Sequence, residues 1–263
     1  MKKIKRGLSL TYILFSMCLL IHFSSCGNDP LPPVHLVSVD HTTEYYSADT
    51  ILVDAFHNGL PFEIKGGNGV YVIENAHENI VECRYDGKQL TFIPKGLGVA
   101  TILIADHLGN NLLLYIKVAN YEEIFRVKGL SSDAYGPKMM MEEVERLKER
   151  IKEESMVQVG GRYIFTYRDK DQTEGGVTIY GKETDKPLSG IFRVSQKYSD
   201  EGKQYKEYVI TLSSGAVHKM MLMDYALNSH TLPFKVFKES VTEKYQLDYT
   251  ELTDAVLIQE LDI

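Results

Sequence analysis

Residues 80–93 read Ile80-Val81-Glu82-Cys83-Arg84-Tyr85-Asp86-Gly87-Lys88-Gln89-Leu90-Thr91-Phe92-Ile93. Two runs rich in β-branched and aromatic residues flank the dipeptide Asp86-Gly87. Such side chains suit a pleated, half-buried surface. Asp-Gly accepts the positive φ that a type I′ turn needs at both of its central positions. The stretch predicts a β-hairpin, and its neighbours read the same way. Val34–Val39, Ile51–Phe56, Leu60–Ile64 and Val70–Ile73 precede it. Ala100–Ile104 and Asn111–Val118 follow, joined near Gly109-Asn110. Short strands at this density, bounded by turn residues, predict a sandwich over residues 34–119.

The glycine and turn pattern carries a resemblance. Gly66-Gly67-Asn68-Gly69-Val70-Tyr71 is similar to the turn after an early strand of bacterial immunoglobulin-like domains. The later run through Asp86-Gly87, Leu90-Thr91-Phe92, Gly96 to Ile102, Asp106 and Gly109 continues it, so the resemblance spans most of residues 50–118. It implies an immunoglobulin-like β-sandwich, a module that commonly serves as a spacer or adhesive unit. It implies a fold and no activity.

Residues 120–136, with Ser131-Ser132-Asp133-Ala134-Tyr135-Gly136, read as a connector. Pro137 suits a first helical position. Met140, Val144, Leu147 and Ile151 then recur on one helical face. From Val157 onward the chain is β-rich again. Arg162–Tyr167 sets Tyr163, Phe165 and Tyr167 on one face. Val177–Tyr180, Gly190–Val194, Tyr208–Leu212, Val217–Met223, Phe234–Phe237, Tyr245–Tyr249 and Ala255–Ile258 follow. Residues 137–263 thus predict a helix plus an antiparallel meander of about seven strands, either a curved sheet or an up-and-down barrel. The fold class is mainly β: an immunoglobulin-like sandwich followed by an α+β domain.

The N-terminus reads as an address. Lys2, Lys3, Lys5 and Arg6 precede the apolar run Tyr12–Ile21, as in a secretory signal, and the run is short for a membrane span. Phe23-Ser24-Ser25-Cys26-Gly27 resembles the lipobox of bacterial lipoproteins in the relaxed form of Bacteroidota lipoproteins; Phe23 stands where the stricter pattern has Leu. The resemblance implies removal of residues 1–25, lipidation of Cys26 with diacylglycerol and a further acyl chain such as palmitate, and attachment to the cell envelope, in the outer membrane. Two or more acyl chains anchor stably where one does not. Residues 26–33, ending Pro30-Leu31-Pro32-Pro33, read as the lipidated cysteine and a stiff tether.

Composition bounds the partners. The 263 residues are 44% hydrophobic and 25% charged, proportions that exclude wholesale disorder or a fibrous repeat. The formal charge is −7, and without residues 1–25 it becomes −11. So acidic a body repels phosphate backbones and carries no polybasic membrane patch, so no nucleic acid is expected as a partner. The membrane, through Cys26, is the expected one. A glycan, an apolar ligand or an envelope protein stays open as a second.

No catalytic residue, metal ligand or cofactor-binding residue is assigned, and Cys26 is the one site named. With Cys18 in the leader and Cys26 lipidated, Cys83 is a lone thiol in a strand and reads as inert. Asp169-Lys170-Asp171-Gln172-Thr173-Glu174-Gly175-Gly176 lacks the EF-hand glycine and closing glutamate, and reads as a hairpin tip. The eight histidines show no metal spacing, and Ser214 near His218 is explained by a turn. Gly66–Gly69 precedes no helix and is no phosphate cradle. Alternation sets Met221 and Met223 opposite Met220, in a core or in a lumen for an apolar ligand. Trp is absent while Tyr reaches 17, so any glycan platform would be tyrosine. Three functions follow as expectations. They are a non-enzymatic binding or assembly module on a stalk, an envelope hydrolase of glycosides or esters with its site in the second domain, and a surface fibre or adhesin subunit.

Overall fold

The computed structural model describes residues 31–199, 202–225 and 234–262. It is mainly β and falls into two compact units that divide between Lys117 and Val118, with residues 53–58 grouped with the second.

The first unit holds β1 (His35–Ser38), β2 (Glu44–Tyr45), β3 (Thr50–Asp54), β4 (Leu60–Lys65), β5 (Tyr71–Asn75), β6 (Val81–Tyr85), β7 (Gln89–Pro94), β8 (Gly98–Asp106) and β9 (Asn111–Ala119). One sheet runs β2-β1-β4-β7-β6 and the other β3-β9-β8-β5. The hairpin quoted above is β6–β7, with Cys83 opposite Phe92 and Tyr85 opposite Leu90. Its turn works differently from the expectation. Positive φ occurs at Gly87 alone, and Asp86 contributes its carboxylate, whose Oδ1 accepts the N–H groups of Lys88 and Gln89. Alternate residues face inward: Phe62, Leu90 and Phe92 from one sheet, Ile102, Ile104, Leu112, Leu114 and Ile116 from the other, all essentially without solvent contact. Each such side chain contributes about 1.5–3 kcal/mol through burial.

The second unit is a closed up-and-down barrel of eight strands. They are β10 (Glu122–Tyr135), β11 (Arg162–Tyr167), β12 (Glu174–Tyr180), β13 (Leu188–Tyr198), β14 (Gln204–Leu212), β15 (Val217–Tyr225), β16 (Phe234–Ser240) and β17 (Asp254–Asp262). Long β10 closes it. Residues 122–126 pair with β11, and residues 126–135 pair with β17. The expected connector at 120–136 is therefore corrected to a barrel strand. A register shift between Val127 and Gly129 reverses the alternation, so Phe125 and Val127 point inward before it and Ala134 after it. A bulge changes which parity faces the core, and that concealed the strand.

Helix α1 (Met141–Glu153) buries Leu147 and Ile151 against Ala134, Ala255 and Leu257. It starts four residues later than expected. Pro137 lies in a turn closed by the N–H of Met139 on the Gly136 carbonyl, and Glu143 reaches back to the N–H of Met140 to begin the helix. Residues 245–249 form no strand, a second correction. A short helix α2 (Thr242–Tyr245) precedes a turn, and Tyr245 is buried with its hydroxyl donating to Glu154. Asp248 pairs with Arg150 of α1 at 2.7 Å. This segment fastens the end of α1 instead of adding to the sheet.

An eight-stranded barrel has an interior that side chains can just fill. Here aromatic rings fill it. Phe165 lies 4.8 Å from both Phe192 and Tyr208 by ring centroid, and Phe125 lies 5.1 Å from Phe237. Edge-on and tilted arrangements predominate, as ring quadrupoles prefer.

Candidate functional site

Cys26, the leader and the tether up to Pro30 lie outside the described residues. The end of the expected tether is folded structure: the Pro32 carbonyl accepts the N–H of Gly67 at 2.8 Å. Residues 32 and 33 are thus part of the sandwich rather than a spacer.

Among the described residues, three sets of polar side chains pair within the barrel. At one end Glu123 of β10 shares the inward face with Phe125. Tyr167 donates to its Oε2 at 2.6 Å and Tyr208 donates to the same oxygen at 3.0 Å. The two hydroxyls are 3.3 Å apart. Burial holds both phenols far above their ordinary ionisation range, and the hydrogen bond to Glu123 adds to this for Tyr167. As neutral phenols they are hydrogen-bond donors to the Glu123 carboxylate. Tyr121 stacks on Tyr167 at 5.6 Å. Sequence reading placed Tyr167 correctly but missed Glu123, which fell in the supposed connector.

Elsewhere in the barrel His218 of β15 and Glu239 of β16 meet at 2.8 Å. The partner of His218 is this carboxylate and not Ser214. Ser214 and Gly215 make the β14–β15 turn, where Gly215 has φ +90°. The hydrogen bond to Glu239 raises the His218 pKa against the opposing effect of burial. Tyr163 donates to Gln259 at 2.8 Å, and Gln259 donates to Ser155 at 3.3 Å. Among the described residues no buried side-chain nitrogen or oxygen lacks a partner.

The remaining candidates resolve individually. Met220 is fully buried among the barrel aromatics, while Met221 and Met223 face the other way. The lumen position expected for an apolar ligand is occupied by the protein's own side chains. The Asp169 loop is a hairpin tip whose carboxylate accepts the N–H groups of Thr173 and Glu174. Among the described residues no three His, Cys, Asp or Glu side chains are placed to hold a metal ion. Cys83 is half-buried, and burial, with Glu78 and Glu82 nearby, pushes its thiol up to about 12. It lines a cleft of about 540 Å³ between the edge strands β5 and β6, rimmed by Tyr71 and Tyr85 at 6.4 Å.

No protein-family model matches the chain, and no curated protein matches it.

Proposed function

We propose that the protein is a lipid-anchored component of the bacterial cell envelope, held by Cys26, in which an immunoglobulin-like sandwich serves as a stalk for a barrel that binds or assembles and does not catalyse. The address is supported by the Lys2–Arg6 charge, the apolar run and Ser24-Ser25-Cys26. The observation that carries the non-catalytic reading is the state of Glu123. It is a half-buried carboxylate on the inward face of β10, and one of its oxygens accepts two phenols while aromatic rings fill the space beside it. A group so occupied stiffens the barrel end. The test has two arms. Mass spectrometry of membrane-extracted protein is expected to show a chain that begins at Cys26 with added acyl mass, and Cys26→Ala is expected to leave the protein unanchored. A panel of glycosides and esters is expected to show no turnover.

A second reading, an envelope hydrolase, is favoured by the same cluster, since a carboxylate beside two hydroxyls is a serviceable acid–base set. Turnover that is present in the native chain and lost in Glu123→Gln would establish it. A fibre subunit is favoured by β5 and β6, each of which ends its sheet, among the described residues, beside their cleft. Concentration-dependent polymerisation would establish that one.

A further inference from the structure

Three segments meet at the end of the sandwich where the chain enters. Asp106, almost fully buried, joins two of them. Its Oδ1 accepts the N–H groups of Leu108 and Asn110, each at 2.9 Å. Its Oδ2 accepts the N–H of Asn68 at 3.0 Å and the side-chain amide of Asn110 at 2.8 Å. Asn68 in turn accepts the N–H of Val70. The entering segment is clasped to the same loop. Gly67 donates to Pro32, and a Cβ on Gly66, at φ +79°, would lie 2.1 Å from the Pro33 oxygen. Glycine, asparagine and aspartate supply the turn chemistry here. Each segment nevertheless turns one aliphatic side chain to solvent: Leu31 is 42% exposed, Val70 54% and Leu108 67%. None of the three is needed to make its turn.

We propose that this end of the sandwich rests on a lipid surface, with Leu31, Val70 and Leu108 entering the boundary between headgroups and acyl chains. The proposal rests on the reading of Cys26 as the lipidated residue. Residues 26–30 are five links, and a chain advances at most ~3.6 Å per residue, so Leu31 lies within about 18 Å of the anchored residue. Strand β9 starts beside the Asp106 loop at Asn111 and runs away from it to Ala119, so the chain leaves the sandwich at the opposite end. The entry end is the one a short anchor holds at the bilayer. Tethering raises the effective concentration of its three side chains there, so weak insertion becomes persistent. The charge of Asp106 is turned inward onto its four donors, which leaves it no obstacle to that contact.

The absence of Trp from the chain makes the test direct. Leu108→Trp and Leu97→Trp each introduce a sole tryptophan, the second at a 60% exposed site in the turn between β7 and β8, at the opposite end of the sandwich. The lipidated protein is reconstituted into phosphatidylcholine vesicles containing a brominated lipid. The Leu108→Trp variant is expected to show blue-shifted emission and quenching several-fold stronger than Leu97→Trp. Equal quenching in the two, or none in either, overturns the proposal. In parallel, residues 26–263 carrying Cys83→Ser are coupled through Cys26 to a maleimide phospholipid and measured with the same two reporters. Selective quenching there, with no acyl mass on native Cys26, supports the lipid-seeking face and overturns the native anchor. Acylated native protein with no selective quenching overturns the face and leaves the anchor standing.

Discussion

Tyr163 on β11 donates its hydroxyl to Oε1 of Gln259 on β17 at 2.8 Å, a contact between residues 96 positions apart. Both strands flank β10, so this bond stitches the barrel together across its closing strand. Gln259 is 2% exposed, and its amide continues to Ser155. Tyr163→Phe removes the donor and leaves a buried acceptor short of a partner, at a cost of about 1–3 kcal/mol. Urea denaturation is expected to show that loss. The double variant with Gln259→Leu is expected to lose less than the two single changes together, because no orphaned group remains.

Alkaline pH is expected to destabilise the barrel through its tyrosines. Burial raises the pKa of Tyr163, Tyr167 and Tyr208. Below pH ~10 these phenols are neutral in both states. Above it the unfolded chain loses protons that the folded chain keeps, so stability falls as pH rises. Absorbance of phenolate is expected to show the exposed tyrosines titrating first. A late step should coincide with loss of the circular dichroism of the sheet, and Tyr208→Phe should diminish that step.

His218 is expected to give the barrel a second pH dependence, near neutrality. Its pKa is raised by Glu239, so the pair's contribution is fully present below pH ~6.5 and is lost as pH rises through the higher folded value. Midpoints of denaturation measured from pH 5.5 to 8.5 should decline over that upper range. Glu239→Gln should flatten the decline while leaving the alkaline limb intact.

Cys83 is expected to react slowly. With its thiol pushed up to about 12, the thiolate is a minute fraction at pH 7.5. Alkylation by iodoacetamide should be slower by orders of magnitude in native protein than in urea. Glu82→Gln should change this little, because burial is the first cause of the shift.

Much of the architecture was legible in residue order. The eight runs read between Val34 and Val118 all became strands, because each is short, rich in β-branched, aromatic or other apolar residues, and bounded by turn residues. Tyr163, Phe165 and Tyr167 were correctly set on one face, since period-two alternation survives into any sheet. Two failures have definite causes. The bulge after Val127 broke the period of β10 and hid Glu123 along with it. Tyr245–Tyr249 alternates like a strand, but Tyr245 is instead buried in the cluster with Leu147, Ile151 and Leu252, at the end of a short helix.

Residue order alone therefore determined the β class, the position of the hairpins, the amphipathic helix and the expectation of lipid on Cys26, because each depends on side chains within a few positions of one another. Only the tertiary structure decided that the second sheet closes, that aromatic rings fill its lumen, and that Glu123 is claimed by Tyr167 and Tyr208, 44 and 85 residues away. It also decided that Leu31, Val70 and Leu108 share one end of the sandwich around Asp106. Closure and convergence depend on which distant strands pair, and that choice is made by the summed burial and hydrogen bonding of the whole chain rather than by any segment of it.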